Sequence, residues 1–228
     1  MLRHALAALA LVSASLAAAP QPQHGRLFDP QDLGLLEGPD RDAWQRPDQI
    51  MDALRIYDGN VVADLGAGGG WFTVRMARRV GPKGIVYAED IQHQMIESIN
   101  RRVEREGLQK RVITKLGTAA DPGLPQGALD AVLIVDAYHE MEQPVALLRN
   151  LAKSLKLDGR IGIVDFTADG GGPGPPVDER VDPQRVIKDA EEAGLRLTSR
   201  ERFLRYQYML VFEKGKPETG TQLGSRER

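Results

Sequence analysis

The 228-residue sequence contains no cysteine. That excludes disulfides, thiolate nucleophiles and cysteine-held metals from every functional reading. It does not exclude an oxidising compartment, because a domain of this size can be stable without covalent staples. The chain also lacks a strong charge of one sign. Thirty Lys and Arg stand against 32 Asp and Glu, a formal charge of −2, which supplies no general pull toward nucleic acid or anionic lipid. Nor is there a hydrophobic run long enough to span a bilayer. The most apolar stretch, Ala5 to Leu16, covers roughly 12 residues with two serines inside it, against the ~20 that a spanning helix needs.

What that stretch does fit is a leader. Arg3 and His4 precede it, and Ala17, Ala18, Ala19 and Pro20 follow it. A basic start, a short apolar core and a small-residue end make a secretory signal. Cleavage after Ala17 or Ala19 then yields a periplasmic or secreted protein with no stable membrane anchor. No cysteine follows, so a lipid-anchored mature form is excluded. The competing reading is an Ala/Leu-rich cytosolic extension or an uncleaved interfacial helix.

Residues 20–43, rich in Pro, Gln, Gly and Asp, read as a linker, residues 44–213 as one domain, and 214–228 as a disordered polar tail. Arg46-Pro47-Asp48 introduces a helix with Ile50, Met51, Leu54 and Ile56 on its apolar face. Strands are expected at 61–65, 84–88, 111–116, 129–135 and 161–166, and helices at 73–80, 93–106 and 144–157. Almost wholly apolar strands alternating with helices of this length indicate a parallel sheet covered on both faces, doubly wound through right-handed crossovers. The end differs. A helix capped by Asp182-Pro183 stops at Gly194, and segments 195–204 and 206–213 are too close for a parallel crossover, so they form an antiparallel hairpin. The expected fold is therefore a seven-stranded, mostly parallel α/β sheet finished by that hairpin.

The chemistry-bearing stretch is Asp64-Leu65-Gly66-Ala67-Gly68-Gly69-Gly70-Trp71, between a strand and a helix. Glycines permit positive φ and let backbone approach a ligand, and the helix N–H groups beyond face it. A dinucleotide fingerprint requires a further glycine where this chain has Trp71. The spacing is instead that of S-adenosylmethionine loops, where the ligand brings an amino-acid moiety and Asp64 suits its ammonium. A second feature agrees: Val86-Tyr87-Ala88-Glu89-Asp90 ends the next strand in acid, and a carboxylate there can accept both ribose hydroxyls. Strand alternation lets only one of the two acids face the ligand; Asp90 is favoured over Glu89.

On these residues the chain resembles the class I S-adenosylmethionine-dependent methyltransferases, and within them uncharacterised bacterial ones with a secretory leader. The likeness runs over about 44–213, through Trp44-Gln45-Arg46-Pro47-Asp48, the loop at 64–70, Val86 to Ile91, Leu129-Asp130-Ala131-Val132, Val135 to Glu140 and Leu155 to Arg160. Family members often carry Lys-Pro-Gly-Gly where this chain reads Lys156-Leu157-Asp158-Gly159, a difference confined to a turn. The resemblance implies that Asp64, Gly66, Gly68 and Gly70 hold the methionine part and Asp90 the ribose. Gly117 to Asp121 lies where the family contacts adenine, with Thr118 in place of the usual acid. Asp136 joins the cofactor-binding set.

The remaining chemistry follows the fourth and fifth strands, at Asp136, Tyr138, His139, Glu140 and Asp165. His139, with an ordinary pKa near 6.5, is the expected general base toward a small-molecule acceptor, although aligning the groups can suffice for methyl transfer. Its alternative is strand capping. A divalent metal on Asp136, His139 and Asp165 is a lesser alternative. The Gly/Pro-rich segment 168–176 reads as an acceptor-side lid or a passive linker. Two whole-protein alternatives accompany the enzyme: an exported non-catalytic module binding a nucleoside-like ligand or a protein, and a nicotinamide-dependent oxidoreductase, which Trp71 and the terminal hairpin disfavour.

Overall fold

The computed structural model describes residues 27–215; the leader and the tail beyond Gly215 lie outside the described residues. After a short 3-10 helix at Pro30–Glu37 come α1 (Arg41–Gln45) and α2 (Pro47–Ala53), separated by Arg46 in the left-handed region at φ 50°. The alternating part follows: β1 (Val61–Leu65), α3 (Trp71–Arg79), β2 (Ile85–Asp90), α4 (His93–Arg105), β3 (Val112–Leu116), β4 (Leu129–Val135), α5 (Pro144–Ser154) and β5 (Leu155–Phe166). The chain closes with α6 (Pro183–Glu192), β6 (Leu195–Glu201) and β7 (Gln207–Lys214).

The seven strands lie in the order β3-β2-β1-β4-β5-β7-β6. β1 to β5 pair in parallel, and β7 inserts antiparallel between β5 and β6. This is the expected doubly wound sheet with its antiparallel hairpin. Reversal of the order around β1 and β4 is the topological switch at which ligands bind in open α/β sheets.

Strand alternation builds two cores. On one face Val62, Val86, Ala131 and Leu133 pack against Phe72, Met76 and Ile99 of α3 and α4 and against Ile50 and Met51 of α2. On the other, Ala63, Val132, Ile134 and Ile163 pack against Leu147, Leu148 and Leu151 of α5 and Val186 and Ala190 of α6. Each fully buried Leu, Ile or Phe side chain contributes about 1.5–3 kcal/mol over its exposed state.

Two expectations change. The helix from Pro144 ends at Ser154, and Leu155 already pairs with Leu129. A short apolar run reads equally as helix end or strand start; Gly159 decides it, because a Cβ there would stand 2.7 Å from the Leu129 carbonyl oxygen. The described part of the 20–43 linker is built into the fold. Its 3-10 helix is capped by the Asp29 carboxylate, which accepts from the Gln31 N–H at 2.9 Å, and it borders the cleft described next.

Candidate active site

A cleft of about 550 Å³ opens outside the carboxyl ends of β1, β2, β4 and β5, within the ~300–1,000 Å³ typical of small-molecule sites. The glycine loop forms its floor. Gly66, Gly68 and Gly70 have φ of +64°, +52° and +79°, a region that L side chains enter only with strain. The Ala67 N–H donates to the Glu89 carbonyl at 2.9 Å and the Gly68 N–H to Asp90 Oδ2 at 3.0 Å. Both bonds tie the loop to β2. Asp64, next to last in β1, is almost fully buried and accepts from the Thr73 hydroxyl at 2.6 Å. Burial, only partly offset by that bond and by Arg41, raises its pKa to about 6.

Both acids at the end of β2 border the cleft, so the choice of one by strand alternation does not hold. The faces do alternate, but at a strand's last residues the cleft wraps the edge and both faces open into it. The two carboxylates are engaged differently. Asp90 already accepts from Gly68 and, at 2.9 Å, from the Gln92 N–H. Glu89 lies 3.5 Å from the Gly66 N–H through Oε2, while its Oε1 is buried without a partner among the described residues. Burial first, then the neighbouring Asp90 charge, raises Glu89 to about 8. A buried acceptor without a donor is what a ligand hydroxyl would satisfy.

Arg41, on α1, is the cleft residue that the sequence reading missed. Its guanidinium donates to Gln45 and to the Leu36 carbonyl, stands 3.6 Å from Asp136 and lies 4.3 Å from the Trp71 ring centre. Asp136 follows β4 in the left-handed region at φ 53°. It accepts from Gln45 Nε2 at 3.1 Å and from Gln207 Nε2. Burial raises its pKa to about 6 although Arg41 opposes the shift. The carboxylate of Asp136 is thus occupied in holding Arg41 and two glutamines, and Arg41 is a cation lining this part of the cleft.

Beyond β4, His139 pairs with Asp165 of β5. The imidazole Nδ1 lies 3.0 and 3.1 Å from the two Asp165 oxygens, and the His139 N–H donates to Oδ2 at 3.2 Å. Nε2 stands 3.7 Å from Glu140 Oε1. Burial alone would lower the imidazole. The Asp165 hydrogen bond and charge, with Glu140 and Asp136, overcome it and raise His139 to about 9. At neutral pH the ring is therefore an imidazolium, and the ordinary value near 6.5 assumed for a general base does not apply. Tyr138 faces away and donates to Asp189 at 3.1 Å.

Thr118 borders the cleft, but its hydroxyl accepts from the Asp121 N–H at 3.0 Å and closes a local turn. Asp121 caps that turn through the Gly123 N–H at 2.9 Å. Among the described residues no group of three His, Asp or Glu is placed to hold a metal. Asp136 is held by Arg41, Gln45 and Gln207, and Asp165 by His139.

The donor set fits S-adenosylmethionine. An acid and a cation, Asp64 and Arg41, line the cleft as a zwitterionic amino acid would need, and Glu89 and Asp90 line it together as a diol would need. The comparisons agree. A family profile described as a methyltransferase domain matches residues 62–159. A S-adenosylmethionine-dependent methyltransferase from Aquifex aeolicus superposes with a TM-score of 0.77 at 26% identity, over 82% of this chain and 98% of that one. The demethylmenaquinone methyltransferase of Lactobacillus johnsonii is 26% identical over 63% of this chain and 56% of its own. The nocamycin O-methyltransferase of Saccharothrix syringae is 31% identical over 56% of this chain and 43% of its own. The chain spans about half the length of these curated relatives. Sheet order, loop and matched segment together resemble those of class I S-adenosylmethionine-dependent methyltransferase domains.

Proposed function

We propose that the protein transfers the methyl group of S-adenosylmethionine to a small organic acceptor held over β4 and β5. The observation that carries this reading is that buried Asp64 and Arg41, with Glu89 and Asp90 of the neighbouring strand, line one cleft, which matches a zwitterion joined to a diol. The relatives named for demethylmenaquinone and nocamycin support a small-molecule acceptor. When bound, the cofactor supplies an electrophilic methyl on a sulfonium. Asp64 and Arg41 orient its amino-acid end, and Glu89 and Asp90 its ribose. His139, fixed by Asp165, donates from Nε2 to the acceptor and holds it in line, and it becomes free to take a proton only as pH nears 9.

Calorimetric titration with S-adenosylmethionine, S-adenosylhomocysteine and NAD tests this. Asp64→Ala and Asp90→Ala should each lose roughly tenfold to a hundredfold in affinity for the first two, the effect of removing a charge-assisted hydrogen bond, and NAD should not bind. Unchanged affinity in both folded variants would overturn the site. We further propose that the mature protein is exported, on the strength of the Arg3-to-Ala19 pattern. N-terminal sequencing should find a start near Ala18 or Pro20; an intact Met1 start in the cytosolic fraction would refute it.

A further inference from the structure

His139 sits on a single 3-10 turn, Tyr138–Glu140. The Glu140 N–H donates to the Ala137 carbonyl at 3.2 Å and the Met141 N–H to the Tyr138 carbonyl at 3.1 Å. Three residues per turn set the three side chains about 120° apart, and each is held by a different part of the fold. His139 meets Asp165 of β5. Glu140 accepts from the Phe28 N–H, in the segment that borders the cleft, at 3.1 Å. Tyr138, 3% exposed, donates its hydroxyl to Asp189 of α6 at 3.1 Å. So short a turn has weak internal bonds and takes its rotation from these anchors.

The α6 anchor is not what packing alone would select. Val186 and Ala190 of α6 are fully buried, and Asp189 lies among them at 4% exposure. A buried carboxylate is costly unless hydrogen-bonded, and an apolar residue of similar size would cover the sheet as well. Asp189 is bonded from two sides: by the Tyr138 hydroxyl, and by Arg185 Nε at 2.9 and 3.0 Å, one turn back along α6. Arg185 is half exposed, so its ion pair holds the carboxylate only weakly. Burial and then the Asp189 charge push the Tyr138 phenol well above its ordinary pKa, so it stays a donor at neutral pH. His139 and Glu140 border the cleft, whereas Tyr138 and Asp189 stand behind it. We propose that Asp189 is a positioning residue: through the Tyr138 hydroxyl, α6 sets the rotation of the 138–140 turn and so aims His139 at the cleft. This rests on the methyl-transfer reading, in which His139 meets the acceptor.

The test combines ring-proton NMR across pH, amide hydrogen exchange at His139 and thermal melts, all on the full chain without ligand. The groups facing the imidazole are Asp165 of β5, Glu140 on its own turn and Asp136 beyond β4, with Tyr208 opposite Asp165 on β7. Every variant leaves these in place. Tyr138→Phe keeps the ring in the core and removes only the hydroxyl. The His139 midpoint should then fall by about one unit, tenfold in proton affinity. Its N–H, which donates to Asp165, should exchange roughly tenfold faster. Asp189→Leu should do the same. Asp189→Asn keeps an acceptor for the phenol and loses only the charge; it should hold both His139 readouts at wild-type values even if it melts lower. A bond that merely stabilises the fold predicts otherwise: Tyr138→Phe melts lower while midpoint and exchange stay put, and that result overturns the proposal. An Asp189→Asn protein shifted as far as Tyr138→Phe overturns it too. If Asp189→Leu does not fold, Tyr138→Phe against Asp189→Asn decides. Failure of wild type to bind S-adenosylhomocysteine overturns the methyl-transfer reading instead and leaves the His139 readouts untouched.

Discussion

Asp165→Asn isolates the origin of the charge on His139. Asp165 has no exposed surface, and its carboxylate meets the imidazole Nδ1 at 3.0–3.1 Å and the His139 N–H at 3.2 Å. The asparagine keeps the volume and an acceptor oxygen but removes the charge, while the burial that disfavours an imidazolium persists. The His139 midpoint should therefore fall from about 9 to its ordinary value or below. The difference from 6.5 corresponds to about 3 kcal/mol of preference for the charged ring. The sign for stability follows, because the folded value lies above the unfolded one. The pair's contribution is fully present below pH 6.5 and is lost as pH rises through 9. Wild type should thus be the more stable protein at pH 6, with the gap closing toward pH 10. Glu89, also raised, changes both proteins equally and drops out of the comparison. Ring-proton NMR gives the midpoint directly, since the sequence has only four histidines. A wild-type His139 midpoint near 6.5, or one near 9 that survives the asparagine, would refute the reasoning.

The fold was legible because its signals are local. Apolar strands such as 129–135, glycines at 66, 68 and 70, and the short gap between the last two strands each constrain the backbone through a few neighbouring residues. The acids lining the cleft at β1 and β2 were legible for the same reason: Asp64 and the β2 acids sit at fixed offsets from strand ends. Arg41 was not, because nothing in Arg-Asp-Ala-Trp-Gln says that α1 folds back to within 3.6 Å of Asp136, ninety-five positions later. Asp165 was visible as a strand-end acid, but its pairing with His139 depends on β4 and β5 being adjacent, which is a property of the sheet order. The His139 pKa could not be read from residue type, since it follows from burial set against three carboxylates that the fold brings together.

Three further outcomes follow from the cofactor end of the cleft. On the proposed pairing of the cofactor's ammonium with ionised Asp64, S-adenosylhomocysteine affinity should fall as pH drops through about 6, by up to about tenfold per unit, and Asp64→Asn should flatten that limb; an unchanged slope in calorimetry removes Asp64 from the ammonium site. Arg41→Met should weaken the same ligand by roughly tenfold or more while Asp136, left without its cation, shifts further toward the neutral form; full affinity in a folded Arg41→Met protein dismisses the carboxylate contact. The glycines separate packing from ligand space. At Gly66 an alanine meets both a positive φ and a Cβ only 2.7 Å from the Ala137 Cβ, well inside the ~3.5–4.0 Å carbon contact distance. The loop must then part from the end of β4, and a loss of about 2–4 kcal/mol is expected from left-handed strain plus overpacking. At Gly68 the φ is equally positive, but the nearest atom to an added Cβ is Leu33 Cδ2 at 3.9 Å, so only the ~1–2 kcal/mol of backbone strain applies. Denaturant melts should therefore rank Gly66→Ala below Gly68→Ala in stability. Calorimetry should find that Gly68→Ala loses S-adenosylhomocysteine affinity out of proportion to its stability, because its Cβ enters the space the ligand needs. Equal stability for the two variants would show that the Ala137 contact does not hold the loop to the sheet.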